Sequence, residues 1–294
     1  FQYPFLRASP YIRPDPSGEV RVTSKFPKLC LAEGVTPDEV SFGELGYARE
    51  AKGSYLDFCA ARERGELPTN VRFQVCLPTP MGVIYAFCTQ RDLLAIDAAY
   101  ETAMIREVGR ICAAIAHRDL CIQWDFCHEM ILLDGQAQDH FPAIKASMDD
   151  IMQRMRRISK AVPEDVELGV HLCYGDFGAT HMIEPRDAGR MVEVANAMAQ
   201  AITRPITYLH MPVPIARTDE GYFLPFKELR LSDATEIYLG VVHAADGVEG
   251  TKKRMSVAGK FVPKFGIACE CGIARARKTD LVKRLLEIHA AVSE

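Results

Sequence analysis

The residues best suited to chemistry are His171-Leu172-Cys173. They close the apolar, β-branched run Val166–Cys173, which reads as a strand. Two residues apart on a strand, the imidazole and the thiol share one face. Both are good zinc ligands, one neutral and one as thiolate. A second pair occurs in Cys269-Glu270-Cys271-Gly272 at the end of the last apolar run, where Gly272 permits a sharp backbone turn. Either pair alone is also what buried core residues look like. If the two strand ends meet, His171, Cys173 and Cys271 converge. Three protein donors with one open place is the pattern of a catalytic zinc. Two thiolates make the ion a poor activator of water. They suit it to bind a thiol and strip its proton. The expected reaction is alkyl transfer to a thiol.

Placing those residues is a matter of strand–helix alternation. From residue 71 onward, apolar β-branched runs alternate with longer segments of helical spacing. The pattern predicts strands over Val71–Leu77, Leu120–Trp124, Val166–Cys173, Ile206–His210, Ile237–His243 and Phe265–Cys269. It predicts helices over Arg91–Ala116, Phe141–Ala161, Pro185–Ala201, Glu249–Gly259 and Thr279–Val292, with Pro185 in a first turn. An earlier helix is expected over Pro37–Arg64, and Val20–Phe26 is a weak extra strand. Such alternation means a parallel sheet, either open and doubly wound or closed into a barrel. No G-x-G-x-x-G or G-x-x-x-x-G-K-[ST] is present, which lowers the nucleotide-binding open-sheet reading. Polar residues gather at several strand ends: Gln123 and Asp125, His171 and Cys173, His210, His243, Cys269 and Cys271. A (β/α)8 barrel draws its active site from such ends. Six strands are countable. The expectation is one catalytic barrel over residues 1–294, with residues 1–70 an N-terminal segment of loop and helix. The first two strands would fall upstream of Phe1, outside the given chain. Met211–Pro225 is expected to be an irregular loop at the top of the barrel.

Composition bounds the alternatives. The chain has 294 residues, 48% hydrophobic and 25% charged, with a formal charge of −4. That suits a globular protein with a sizeable core and excludes a disordered chain, a collagen or a coiled coil. Mild acidity without a Lys/Arg block argues against nucleic acid or a membrane surface as partner. No apolar run of about 18 residues occurs. The aromatic, Pro-rich start lacks the basic and apolar regions of a secretory signal. Ten cysteines, mostly in apolar stretches, read as buried thiols in a reducing cytoplasm, not as a disulfide framework. A homo-oligomer is left open.

Five motifs in order extend the reading: LPTP (Leu77–Pro80), IQWD (Ile122–Asp125), HLCYGDF (His171–Phe177), GVVHAADG (Gly240–Gly247) and ECGIAR (Glu270–Arg275). Over about residues 71–290 the chain resembles the catalytic barrel of cobalamin-independent methionine synthase. The wider group includes uroporphyrinogen decarboxylase-like folds and zinc-dependent thiol alkyltransferases. The resemblance implies a zinc-centred (β/α)8 barrel, with His171, Cys173 and Cys271 as ligands and Asp125 facing the substrate. A small-molecule thiol and an alkyl donor would be its partners.

Departures from the family are equally specific. His210 stands near the place of a glutamate ligand, so it is a fourth ligand or a substrate contact. Phe126 replaces an acidic residue after Asp125. His243 occupies an aspartate position, and Ala245 that of the family's proton-delivering histidine. Methyltetrahydrofolate and homocysteine are therefore not the expected pair. Asp125 and His243 are the expected catalytic residues. Gln123, Trp124, His210, Asp246 and Arg275 are expected to contact substrate, Arg275 through an anionic group. His181 and Asp176 belong either to the metal's outer shell or to a solvated loop. Glu129 is a further loop candidate, although Leu132 breaks an H-E-x-x-H reading. His117, His140 and His289 read as structural. Two competing functions stand beside this one: a metal-free uroporphyrinogen decarboxylase-like lyase, and a catalytically inactive barrel that binds a metal or small molecule.

Overall fold

The fold comes from a computed structural model, which describes residues 1–20, 26–135, 146–175, 181–274 and 277–293. Six parallel strands lie in the sheet in chain order: β3 (Phe73–Pro78), β4 (Leu120–Phe126), β5 (Glu167–Leu172), β6 (Tyr208–Pro212), β7 (Glu236–Val242) and β8 (Gly266–Cys269). Between them run α3 (Pro80–Phe87), α4 (Leu93–Ala114), α5 (His128–Asp134), α6 (Met148–Lys160), α7 (Gly189–Ala201), α8 (Glu220–Phe223) and α9 (Gly247–Ala258), and α10 (Thr279–Ser293) follows β8. The six expected strands are all present. The architecture is an α/β fold with a six-stranded parallel sheet flanked by helices, and among the described residues no strand pair closes it into the expected (β/α)8 barrel. Ahead of it come α1 (Gln2–Ala8), an antiparallel pair β1 (Ile12–Pro14) and β2 (Leu29–Leu31), and α2 (Tyr47–Glu63). No helix among the described residues is long and apolar enough to cross a membrane.

The chain forms two compact units. The first is Phe1–Asp125 with Arg156–Leu168, and the second is Phe126–Met155 with Gly169–Glu294. In the first, β3 and β4 pair from Phe73↔Leu120 to Pro78↔Asp125. The helix α4 buries Leu93, Ile96, Tyr100, Met104, Val108 and Ile111, spaced three or four apart as one helix face requires. The N-terminal segment is built into this unit. Gln2 donates to Leu45 O and accepts from the Tyr100 hydroxyl, and the buried Glu107 carboxylate accepts from the Ala48 amide at 2.8 Å.

Two helix expectations and one loop expectation change. Pro37–Arg64 is not one helix. Thr36 and Glu39 form a reciprocal cap on a single turn, Pro37–Glu39, and the chain becomes helical again only at Tyr47. Gly46 sets that start, with φ of 84° and the Phe5 ring lying where a Cβ would go. Pro185 does not open α7. The helix begins at Gly189, whose amide is taken by the Asp187 side chain at 2.8 Å. Met211–Pro225 is not wholly irregular: it completes β6, carries α8, and buries Tyr222 and Phe223. Pro80–Phe87 forms a helix that the periodicity does not predict, capped by the Thr79 hydroxyl. For the expected helix over Phe141–Ala161, Met148–Lys160 is helical, while 136–145 lie outside the described residues, as do 21–25 of the weak strand.

In the second unit, register fixes the faces. The pairs Gly169↔Tyr208, His171↔His210, His210↔Tyr238 and Tyr238↔Gly266 put these residues on one face of β5–β8. Leu168, Val170, Leu172, Leu209, Met211, Leu239 and Val241 alternate with them and are buried. Each tyrosine ring lies against the glycine of its partner strand, in space a side chain would occupy. One extra residue enters β7, where pairing shifts from Leu239↔Ile267 to Val242↔Cys269. At that bulge a Cβ on Gly240 would stand 2.8 Å from Glu270 Cα, 3.0 Å from Cys269 O and 3.1 Å from Pro212 Cα. All three are main-chain atoms with little room to give.

Two predictions follow from this packing. Gly240→Ala should destabilise the protein by about 1–3 kcal/mol through overpacking, read as a lower urea midpoint; an unchanged midpoint would refute the close approach. In the first unit, His117 donates to Asp165 at 2.8 Å and to Cys112 O at 3.0 Å. The Asp165 bond raises its pKa above 6.5. That stabilisation is complete below the unfolded pKa and lost as pH rises through the folded one. His117→Gln should therefore cost stability at about pH 6 and little at about pH 9, compared by urea unfolding at the two values.

Candidate metal centre

The centre lies in the second unit, where β5 and β8 end. His171 is the penultimate residue of β5, and Cys173 follows its end. Cys173 is held by its amide, which donates to Phe126 O at 3.0 Å. Cys271 comes two residues after β8. One donor atom from each of His171, Cys173 and Cys271 lies within 4.8 Å of the others, and all three residues are buried. The sulfurs of Cys173 and Cys271 are 3.9 Å apart. In a flat sheet β5 and β8 would stand about 14 Å apart, three strand spacings. The β5–β8 sheet is therefore concave toward the His171 face, and the bulge in β7 is one device that re-aims the strand ends.

Those distances suit a tetrahedral ion. Two thiolates bound at about 2.3 Å stand about 3.8 Å apart on such an ion, which is the separation found. The sulfur-rich donor set with one imidazole favours zinc among common divalent ions. In the free protein, a thiol–thiol contact with Cys127 is the largest influence on Cys173. It raises the Cys173 pKa together with burial and outweighs the opposing contact with Cys271.

Three histidines surround this group in different electrostatic states. His210 stacks on His171, ring centres 4.5 Å apart and 24° from parallel. Burial pushes its pKa down to about 4 against a main-chain bond to Cys269, so the ring is neutral. Its nitrogens are not among the three clustered donors. His243 Nε2 donates to Val213 O at 2.8 Å, leaving Nδ1 facing Glu270 at 3.6 Å. Burial lowers the His243 pKa more than the Glu270 carboxylate raises it. His181 is 2.7 Å from the other Glu270 oxygen and 3.2 Å from Glu184. Both approaches lie off the hydrogen-bond direction. Burial is the largest single influence on His181 and lowers its pKa, yet Glu270 and Glu184 together carry it upward. Glu270 thus faces two imidazoles beside Cys271, one with its pKa raised and one with its pKa lowered.

The other expected site residues lie on β4 and at the start of α9. Asp246 receives both guanidinium nitrogens of the fully buried Arg254, at 2.6 and 2.8 Å, and Arg254 also donates to Val241 O and Ile215 O. Arg254 therefore ties the start of α9, through Asp246, to the segment after β6, through Ile215 O. Gln123, Trp124 and Asp125 end β4 in the first unit. Gln123 donates to Asp125 at 2.8 Å and accepts from Gln74, and Trp124 is fully buried. Glu129 is buried on α5. Arg275 and Asp176 lie outside the described residues.

Sequence reading passed over two members. Glu270 lies in the motif it used, and an acid inside an apolar strand end requires a partner, which was the available signal. Cys127 directly follows β4, next to Phe126, whose carbonyl accepts from the Cys173 amide. Nothing in its spacing distinguished it from the other cysteines.

No protein-family model matches the chain, and no curated protein matches its sequence. Among solved structures the chain is similar to a Listeria monocytogenes protein provisionally named a vitamin-B12-independent methionine synthase. The TM-score is 0.48 and the identity 15%, over 76% of this chain. The match spans 64% of that protein's length.

The histidine states can be checked directly. In the metal-free protein, His181 should titrate above 6.5 and His243 below it, followed by imidazole nitrogen shifts in NMR. Glu270→Gln should lower the His181 value. Coincident titration of the two rings would refute the assignment.

Proposed function

We propose that the chain is a zinc-dependent transferase that activates a thiol for methyl or alkyl transfer. The observation that carries this reading is the 3.9 Å separation of the buried Cys173 and Cys271 sulfurs, with a His171 nitrogen in the same cluster. His171, Cys173 and Cys271 would hold the ion and leave one place for the acceptor sulfur. When bound, zinc would lower the pKa of that thiol so that it reacts as thiolate at neutral pH.

The chain's own residues would do the rest. Neutral His243, fixed through Val213 and facing Glu270, would serve in proton handling during the transfer. His181 lies 2.7 Å from a Glu270 oxygen and would hold that side chain in place. His210 shields the inner side of His171 by stacking. Asp125 would bind a polar or cationic group of a substrate, with Gln123 orienting its carboxylate. Trp124 would support that strand end from within the core, and Arg275 would bind an anionic substrate group. The acceptor is a small-molecule thiol, and the donor an activated methyl or alkyl compound.

The test is metal content by mass spectrometry of the wild type and Cys271→Ser, each purified without chelators. About one zinc per chain, falling by at least tenfold in occupancy in the variant, is expected for a three-ligand site. A zinc-free wild type would overturn the proposal. His243→Ala should retain zinc yet lower the rate of thiol alkylation by about 10²–10⁴, measured with a model methyl donor and a panel of thiols.

A further inference from the structure

His210 carries a nitrogen to which the metal reading gives no task. Register pairs His210 with His171 across β5 and β6. Their rings stack with centres 4.5 Å apart and planes 24° from parallel. His210 Nε2 is buried and meets no hydrogen-bond partner among the described residues. A buried ring nitrogen left unpaired carries a desolvation penalty that a partner would remove. An ion held by His171, Cys173 and Cys271 does not supply that partner, because the His210 nitrogens stand outside the three-donor cluster. Burial also keeps bulk water from Nε2. Its partner therefore belongs to the enclosed space beside His171, where the acceptor sulfur would bind.

We propose that His210 is a specificity-determining residue, whose Nε2 binds an uncharged hydrogen-bonding group, a hydroxyl or an amide, on the carbon chain of the acceptor thiol. The inference rests on the thiol-transfer reading and names the class of thiol within it. A thiol bearing such a group pairs Nε2 as its sulfur reaches the ion. An all-carbon thiol of the same size leaves the nitrogen buried and unpaired. Sites built to bond a substrate hydroxyl reject the analogue without it more strongly than an apolar pocket rejects an added methylene. The group is uncharged, because taking an ion out of water costs far more than taking a hydroxyl. His210 stands one strand spacing from His171, so the group lies within a few bonds of the sulfur. The stack against His171 fixes the ring, and a fixed ring offers Nε2 in one direction.

The experiment uses the full chain loaded with cobalt(II) in place of zinc. Binding of two thiols of nearly equal size, mercaptoethanol and propanethiol, is followed by growth of the sulfur-to-cobalt charge-transfer band. His210→Phe keeps a stacked ring and removes the nitrogen. It should take up cobalt as the wild type does. The ratio of mercaptoethanol to propanethiol affinity should be at least about tenfold higher in the wild type than in His210→Phe. His210→Gln, which restores a hydrogen-bonding group, should recover part of that ratio. An unchanged ratio in His210→Phe would overturn the inference and leave the thiol-transfer reading standing. Two imidazole ligands in the X-ray absorption of the wild-type cobalt protein would do the same, since His210 would then hold the ion. If His210→Phe fails to fold, the Nε2 chemical shift of His210 in the zinc-loaded wild type decides. It should move with mercaptoethanol and stay with propanethiol; equal movement would overturn the inference. A wild type that takes up neither metal would overturn the thiol-transfer reading, and the inference with it.

Discussion

Two buried sulfurs 3.9 Å apart, from residues 98 positions apart in the chain, set the constraint that the second unit satisfies. Strands three places apart in a flat sheet cannot bring such atoms together. The sheet must curl toward the face carrying His171 and His210, and several local features serve that end. Glycines at 169 and 266 admit tyrosine rings from adjacent strands. Gly240 lets β7 run against the main chain of both neighbours. An extra residue at the same place shifts the β7–β8 register, and bulges bend the strand they enter. The curvature is therefore written into small residues at particular points, while the apolar residues of the opposite face supply the burial.

Charge is organised around the same strand ends. Arg254 is fully buried, an arrangement sustained by two bonds to Asp246 and two to main-chain carbonyls. One of those carbonyls belongs to the segment that also receives the His243 ring. The segment after β6 is thereby pinned by a guanidinium and an imidazole. Glu270 is shared between His243 and His181. Its two oxygens face rings whose pKa values move in opposite directions, because burial dominates at His243 and carboxylates prevail at His181.

Much of this was legible in the sequence. The six strands followed from β-branched runs bounded by turns, and the H-x-C pair and the last-strand cysteine stood out because spacing by two puts side chains on one face. The bond between Arg254 and Asp246 was not read there: Asp246 was expected to contact substrate, and the structure turns it to Arg254. Convergence was a different kind of fact. That Cys271 reaches Cys173, that Cys127 lies beside it, and that Glu270 joins His181 to His243 depend on how far four strands curl, which no periodicity encodes. The single helix read over Pro37–Arg64 failed for a related reason: the Phe5 ring, distant in sequence, occupies the space at Gly46. The sequence by itself determined which residues lie on which face of each strand, because alternation is a local property of extended backbone. Only the tertiary structure decided which strand ends meet, because curvature is the sum of close approaches between residues far apart in the chain.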